Sequence, residues 1–438
     1  MTFSAPFDFA QGRLEVVPLR DRAKLSHYRL AGEVFILFII GSRARHERGS
    51  PVPRIACLVW LAALVPVMLA APPPAKTSLT VDELERMLPS LHDAGDSKAA
   101  RQLASVKLTE RASAERLARW QNELQGSRSR QALVALADAS AFLRPPAAEI
   151  PSTAPPDDAT QKLMLARMMD YVKETIPKLP NFVALRTTTA FEITTADLLH
   201  SQQDLTQLFQ TRQSGKISYQ AIGPAKWSGL PNGQLFWIGS FAQTVRYREG
   251  YEEEEPVAET SGRAGKPLFS LTSVGEFGAI LDVILDEAPA DAIVWDHWEQ
   301  GAKGKVAVFR YAVPRERSHF AVGFTTDQVP DYPAYHGEIA VDPEKGSVLR
   351  ITMEATEHDP GTIHEAFIVV EFGPMQIAGM DYIVPLRGVA MVKTYDAFAN
   401  LSAQPPPIAY QTAINDISFT SYHVFRTKSR VVDGADGP

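Results

Sequence analysis

Histidine and carboxylate side chains lie close together near residue 360. The segment contains His358, Asp359, His364 and Glu365, and imidazole nitrogens and carboxylate oxygens are good ligands for zinc or nickel. His364-Glu365 also begins the helical zinc-protease pattern, but the second histidine four residues later is missing, and the segment alternates like a strand. We therefore expect a solvated turn and no metal site.

Four consecutive glutamates, Glu252 to Glu255, form the densest negative charge in the sequence. They could attract calcium, but calcium loops space their ligands around a tight glycine turn, and this run lacks that spacing. With Pro256 and Gly262 following, the run predicts an acidic, solvent-exposed loop.

Three aromatic side chains share one predicted strand. Simple alternation places Trp295 and His297 on one face and Trp298 on the other, so a sugar-stacking platform would use part of the set. Packing in the core is the expected role. Met164, Met168 and Met169 could form an adaptable lid over an apolar ligand, but ordinary core packing is the expected role for them too.

Motifs for nucleotide, nucleophile and thiol chemistry are absent. The sequence has no Walker A loop and no GxGxxG, GxSxG, HExxH or CxxC pattern in a suitable context. We predict no catalytic residue, no cofactor and no enzyme activity. After residue 76 the chain carries 34 Lys and Arg against 46 Asp and Glu, and so acidic a body is expected to avoid nucleic acid.

The N-terminal 76 residues are predicted to be an extension with a signal peptide. Ile55 to Ala71 is an uninterrupted apolar run that follows Arg54 and ends in small residues before three prolines, which indicates a secretory signal at about 52–71. The protein is then periplasmic or secreted, with an N-terminal membrane anchor as the alternative. Cys57, the only cysteine, lies inside this run.

Residues 77–144 show helical periodicity and are predicted to form a small all-α bundle. Thr80 and Glu83 have the spacing of a capping box, and Ser113 is placed to cap a later helix. Residues 145–158 follow as a proline-rich linker, whose prolines favour an extended connector.

Residues 159–430 are predicted to form an antiparallel β domain, followed by a disordered tail at 431–438. Helices are expected at 162–176 and 274–287, the second started by a capping box of Ser273 and Glu276, and a long strand meander follows. Two helices are too little to cover so many strands. The predicted fold is therefore α+β, with a curled antiparallel sheet, an incomplete barrel, around two helices and the all-α bundle before it.

Four features of this region resemble the bacterial lipoprotein-carrier (LolA-like) fold, which also occurs in RseB-like envelope-stress regulators. They are the stretch from Tyr335 to Pro343, the turn that ends at Gly346, the following strand start Val348-Leu349-Arg350, and the helix at 274–287. The segments Leu179–Phe182 and Ser418–His423 are similar to exported proteins of soil bacteria. The resemblance covers about 180–428. It implies an open barrel that holds acyl chains and no defined catalytic residues.

The sequence thus predicts a non-enzymatic exported protein that binds a hydrophobic ligand, either a lipid or an acylated protein, in the curled sheet. The predicted ligand-lining residues are Met168, Val172, Phe277, Ile280, Ile284, Leu349, Ile351, Met353, Ile368 and Val370. The alternative is an envelope protein–protein interaction module in which the sheet is a filled scaffold. A hydrolase is a third possibility, and would require a polar cleft with perturbed carboxylates.

Overall fold

The computed structural model describes residues 29–30, 33–34, 36–40, 77–175, 179–193, 235–248, 251–256, 271–273, 275–277, 279–289, 291–324, 330–356, 363–395 and 410–424. They form an α+β structure with a large open antiparallel sheet, which confirms the predicted class. The signal at about 52–71, the tail at 431–438, and His358 and Asp359 lie outside the described residues. Within these ranges, none of the helices combines the length and apolarity needed to cross a membrane.

The elements are numbered in chain order. The helices are α1 (Val81–Asp93), α2 (Asp96–Ala104), α3 (Ala114–Glu123), α4 (Ser127–Asp138), α5 (Asp158–Thr175) and α6 (Ala279–Glu287). The strands are β1 (Arg29–Leu30), β2 (Glu33–Val34), β3 (Ile36–Ile40), β4 (Thr77–Leu79), β5 (Val106–Leu108), β6 (Phe182–Ile193), β7 (Phe236–Arg248), β8 (Tyr251–Pro256), β9 (Leu271–Thr272), β10 (Val294–Gly301), β11 (Gly304–Val313), β12 (Phe320–Phe324), β13 (Tyr335–Val341), β14 (Val348–Thr356), β15 (Ile363–Ile377), β16 (Met380–Tyr395) and β17 (Tyr410–Val424).

The helical unit formed by residues 77–144 begins with the predicted capping box. The Thr80 Oγ1 accepts a hydrogen bond from the Glu83 amide, and the Glu83 carboxylate accepts one from the Thr80 amide. Ser113 caps α3 as expected. The unit differs from an all-α bundle because β4 and β5 pair in parallel within it.

The large sheet contains ten of the described strands, in the order β10-β11-β13-β14-β15-β16-β17-β6-β7-β8. All of its neighbouring pairs are antiparallel, and the last strand of the meander, β17, pairs with β6. Strands β8 and β10 are the outer members in this order and are not paired to each other, so the described sheet does not close into a barrel. The predicted turn before β14 ends at Gly346, which adopts a positive φ of 72°.

One face of the sheet, called here the inner face, packs against α5 and α6. Alternate residues of each strand point to this side, so the apolar side chains of β11, β13, β14, β15 and β17 join those of the two helices in one buried cluster. This cluster is the main core of the molecule.

The opposite face, called here the outer face, packs against the helical unit. Phe367, Val369 and Met391 of the sheet share a buried cluster with the leucines of α1, α2 and α4, and the rings of Phe142 and Phe367 lie 5.0 Å apart. The cover available to the sheet is therefore larger than the two helices counted from the sequence, because the helical unit covers the second face.

The proline-rich segment 145–158 lies along the edge of the sheet. The Trp298 indole N–H donates to the Ala154 carbonyl at 3.2 Å, and the Lys305 ammonium donates to Thr153 Oγ1 at 2.8 Å. The segment therefore lies beside β10, an edge strand of the described sheet.

Candidate functional site

Eight of the ten predicted ligand-lining residues meet on the inner face. Helix α5 contributes two and the segment at the start of α6 two, while β14 and β15 contribute two each. They are Met168, Val172, Phe277, Ile280, Ile351, Met353, Ile368 and Val370, and all belong to the same buried cluster. The period-2 pattern of the strands and the apolar face of α5 correctly indicated which side chains come together.

The other two predicted residues are Leu349 and Ile284. Leu349 is half-buried because β14 bulges there: Val341 pairs with Val348 and Ala340 with Arg350, so Leu349 is the extra residue. Val348 takes the core position instead. Ile284 lies on α6, and its side chain is outside the described part of the structure.

The segment before α6 is attached to the sheet by Arg186 of β6. Arg186 Nη2 donates to the Ser273 carbonyl at 2.9 Å, to Ser273 Oγ at 3.1 Å and to Glu276 Oε1 at 3.1 Å, and Nη1 donates to Glu254. The Ser273 hydroxyl itself donates to Glu276 at 2.7 Å. The predicted capping box is therefore wrong: Ser273 and Glu276 bind each other and Arg186, and α6 begins only at Ala279.

Glu252 of β8 forms a second attachment to the same segment. Its Oε1 accepts a hydrogen bond from the Phe277 amide at 2.9 Å, and its Oε2 accepts one from the Gly275 amide at 3.3 Å. Burial raises the pKa of Glu252 to about 8, and the nearby negative charge of Glu276 acts in the same direction.

The glutamate run is a strand, so the prediction of an exposed loop was wrong. Alternation along β8 sends Glu252 and Glu254 toward Arg186 and the start of α6, whereas Glu253 and Glu255 pair with Arg246 of β7. Arg186 of β6 and Arg246 of β7 therefore each face glutamates of this run. The 68 residues that separate Arg186 from Glu254 explain why the sequence did not show this pairing.

The C-terminal end of α6 is also held by polar groups. The Glu287 carboxylate is buried and accepts hydrogen bonds from the His319 ring at 2.7 Å, from the His319 amide and from the Tyr335 hydroxyl at 2.7 Å. Burial raises the pKa of Glu287. Helix α6 is therefore attached through apolar side chains along its length and through titratable groups at both ends.

The outer face carries a separate polar network at the junction with the helical unit. Glu299 of β10 accepts hydrogen bonds from Arg350 at 2.8 and 2.9 Å and from Arg111 of the helical unit at 2.8 Å. His297 lies between Asp296, at 2.7 Å, and Glu299, at 3.1 Å. Both ring nitrogens face carboxylate oxygens, and the hydrogen bonds with Glu299 and Asp296 raise the pKa of His297 despite its burial.

The prediction that Trp295 and Trp298 lie on opposite faces of their strand was wrong. A bulge between Trp295 and His297 shifts the register by one residue. Both tryptophans consequently pack against the inner core, with ring centroids 4.8 Å apart, while His297 turns to the polar network. The core role predicted for the tryptophans agrees with this packing.

A small hollow of about 70 Å3 opens on the helical unit between α2, β5 and α4. Buried Leu103, Leu108 and Leu136 line it together with the half-buried Leu235. Its volume is well below the roughly 300–1,000 Å3 of ordinary small-molecule pockets.

No group of three or more His, Cys, Asp or Glu side chains in the described ranges is arranged to hold a metal. His364 and Glu365 lie on β15, where Glu365 pairs with Lys393. No family model, curated protein or solved structure matches the chain.

Proposed function

We propose that the protein is a non-enzymatic, exported carrier that binds a hydrophobic ligand, a lipid or an acylated protein, between the inner face of the sheet and α6. In this proposal the sheet is the incomplete, LolA-like barrel curled around α5 and α6, and the helical unit is an added domain on its outer face. The apolar run at Ile55 to Ala71 supports export.

The observation that carries the proposal is the attachment of α6. Helix α6 has only nine residues, packs beside α5 on the apolar inner face, and is held at both ends by polar contacts. Phe277, Ile280 and Leu281 occupy the inner face in the described state, so a ligand there takes the place of these side chains. An acyl chain gains roughly 0.8 kcal/mol for each methylene that it buries. This gain would replace the apolar burial that the side chains of α6 lose when the ligand takes their place.

Displacement of a fluorescent fatty acid tests this function. We expect 11-(dansylamino)undecanoic acid to bind the whole chain at micromolar protein, with a rise in dansyl emission, and oleate to reverse it. Failure of oleate to displace the probe at micromolar protein refutes the carrier function.

Two adjacent valines of β15 provide a matched pair of variants. Val370 faces the inner core and Val369 the outer one, and both are buried. Val370→Ala removes two methyl groups from the proposed site and should weaken probe binding about tenfold, whereas Val369→Ala should leave it unchanged. Equal effects of the two variants would mean that the probe does not sit on the inner face.

The second candidate function is an envelope protein–protein interaction module. It is favoured by the hollow on the helical unit, because its apolar lining is open on a surface that the inner core does not use. In this case Leu108→Asp should abolish capture of an envelope partner, while Val370→Ala should leave that capture intact.

A further inference from the structure

The start of α6 is fastened by one arginine and three glutamates. Arg186 on β6 faces Glu254 and Glu252 of β8 and Glu276 of the segment before α6. Arg186 and Glu276 are almost completely buried. One positive charge therefore opposes as many as three negative charges at a site from which water is largely excluded.

Two neutral side chains from neighbouring strands also face this group. Gln243 of β7 donates to Glu254 at 3.2 Å, and the Tyr422 hydroxyl of β17 lies within the electrostatic reach of Glu252. Arg246 of β7 forms ion pairs with Glu253 and Glu255 of β8. Neutralising one of the three glutamates reduces the excess of negative charge at this site from two to one.

Glu252 is the glutamate that touches the backbone of the segment before α6. It accepts hydrogen bonds from the Gly275 and Phe277 amides, whereas Glu254 and Glu276 bind Arg186. A neutral carboxyl group can still accept from an amide through its carbonyl oxygen. The neutral form therefore keeps a backbone contact and removes the repulsion from Glu276.

We propose that Glu252 is a protonation-controlled latch, neutral when α6 lies on the sheet and ionised when the start of α6 separates from it. The latch would regulate the ligand site proposed above and rests on that function. Deprotonation would open the inner face for loading, and acidification would close α6 onto the sheet and expel the ligand.

The pH range follows from the pKa of Glu252, which burial raises from its ordinary value near 4.5 to about 8. Protonation of Glu252 stabilises the closed form, in which α6 lies on the sheet. This stabilisation is complete below the ordinary pKa of a glutamate and is lost as the pH rises to about 8. The equilibrium constant for opening should rise by up to about tenfold for each pH unit between about 5 and 8, and level off above that. At the other end of α6, Glu287 faces His319, Tyr335 and Tyr311, and burial raises its pKa too, so it adds a slope of the same sign.

Hydrogen exchange of the whole chain between pH 5.5 and 8.5 tests the latch without a ligand. After correction for the intrinsic exchange rate, protection of residues 275–287 should fall steeply with rising pH, while protection of β14 should not. Glu252→Gln should remove most of this slope. Glu253→Gln, the adjacent position that faces Arg246, should keep it.

A slope in residues 275–287 no steeper than in β14, or the same slope in Glu252→Gln as in the wild type, would overturn the proposal. The wild-type series decides the matter even if Glu252→Gln fails to fold. Dansyl fatty-acid binding in the same samples separates the two proposals. Opening without probe binding refutes the carrier function and supports the latch, and probe binding without pH-dependent exchange refutes the latch alone.

Discussion

Replacing Arg387 with methionine should detach the helical unit from the outer face of the sheet. Arg387 of β16 contacts Asp138 of α4, binds Asp416 of β17 at 3.0 Å, and lies 3.9 Å from Glu371. Asp138 is fully buried, and its Oδ2 has no hydrogen-bond partner on the described residues. Methionine keeps the apolar stem but leaves three carboxylates without their cation.

The loss should be large because it strands a buried charge. Removing one partner of a buried ion pair costs about 3–5 kcal/mol, a considerable part of the roughly 5–15 kcal/mol that stabilises an ordinary domain. Asp138→Asn should cost no more than about 1 kcal/mol, because the amide oxygen still accepts from Arg387. In the double variant, Asp138→Asn should recover part of the loss caused by Arg387→Met.

The pH dependence distinguishes a charge effect from lost packing. Burial raises the pKa of Asp138 and of Asp416, the negative charge of Asp416 raises the pKa of Asp138 further, and the charge of Glu371 acts on both in the same direction. In Arg387→Met, acid should therefore restore stability as these groups take up protons, and the deficit should be larger at pH 8 than at pH 5.

Urea denaturation followed by circular dichroism measures the loss, and limited proteolysis of residues 145–158 reports detachment of the helical unit. A cost below about 1 kcal/mol for Arg387→Met, or a deficit that does not shrink in acid, would refute the reasoning.

Three further predictions use the same denaturation assay. Gly346→Ala should destabilise the protein far more than Gly379→Ala. Both glycines have a positive φ, but a Cβ at Gly346 would lie 2.4 Å from the backbone of Arg167 in α5, whereas a Cβ at Gly379 meets nothing within 4 Å. Equal losses of stability would contradict this packing. The pKa of His297 is raised, so its contribution to folding stability is complete below the ordinary pKa of 6.5 and is lost as the pH rises through the folded-state pKa. His297→Gln should remove that part of the pH dependence of stability. An unchanged slope would mean that the imidazolium does not stabilise the fold. Phe277→Ala should cost about 3–5 kcal/mol because the ring packs within an aromatic cluster, and Phe277→Leu should cost less; a loss below 1 kcal/mol for the alanine variant would show that the start of α6 is not part of the stable core.

The sequence was sufficient to predict the strands around the turn at Gly346 and the side of β14 and β15 that is apolar, because alternation has only two possible faces. Ile351, Met353, Ile368 and Val370 are placed together on the inner face simply by period 2 and by the turn before β14. The capping box at Thr80 was equally local, since both of its hydrogen bonds join residues three apart.

Bulges are where this local reasoning fails. An extra residue reverses the faces of everything beyond it, and nothing in the local composition distinguished Leu349 or Asp296 from their neighbours. Leu349 consequently left the predicted core, and Trp298 entered it beside Trp295.

The polar contacts of α6 were decided by tertiary structure alone. Arg186 and Glu254 are 68 residues apart, and Tyr335 and Glu287 are 48 apart, so the charges that compensate each other could not be matched by spacing along the chain. For the same reason the glutamates of β8 were predicted to be solvated, although two of them face a buried arginine.

Periodicity alone established which side of each strand is apolar, because that property belongs to a single element. What covers each side depends on how distant elements pack. Only the folded chain showed that α5 and α6 cover the inner face and that the helical unit covers the outer face. The physical reason is that the hydrophobic effect is not directional. An apolar face of a sheet is stabilised by burial, and any apolar surface of the right shape can bury it.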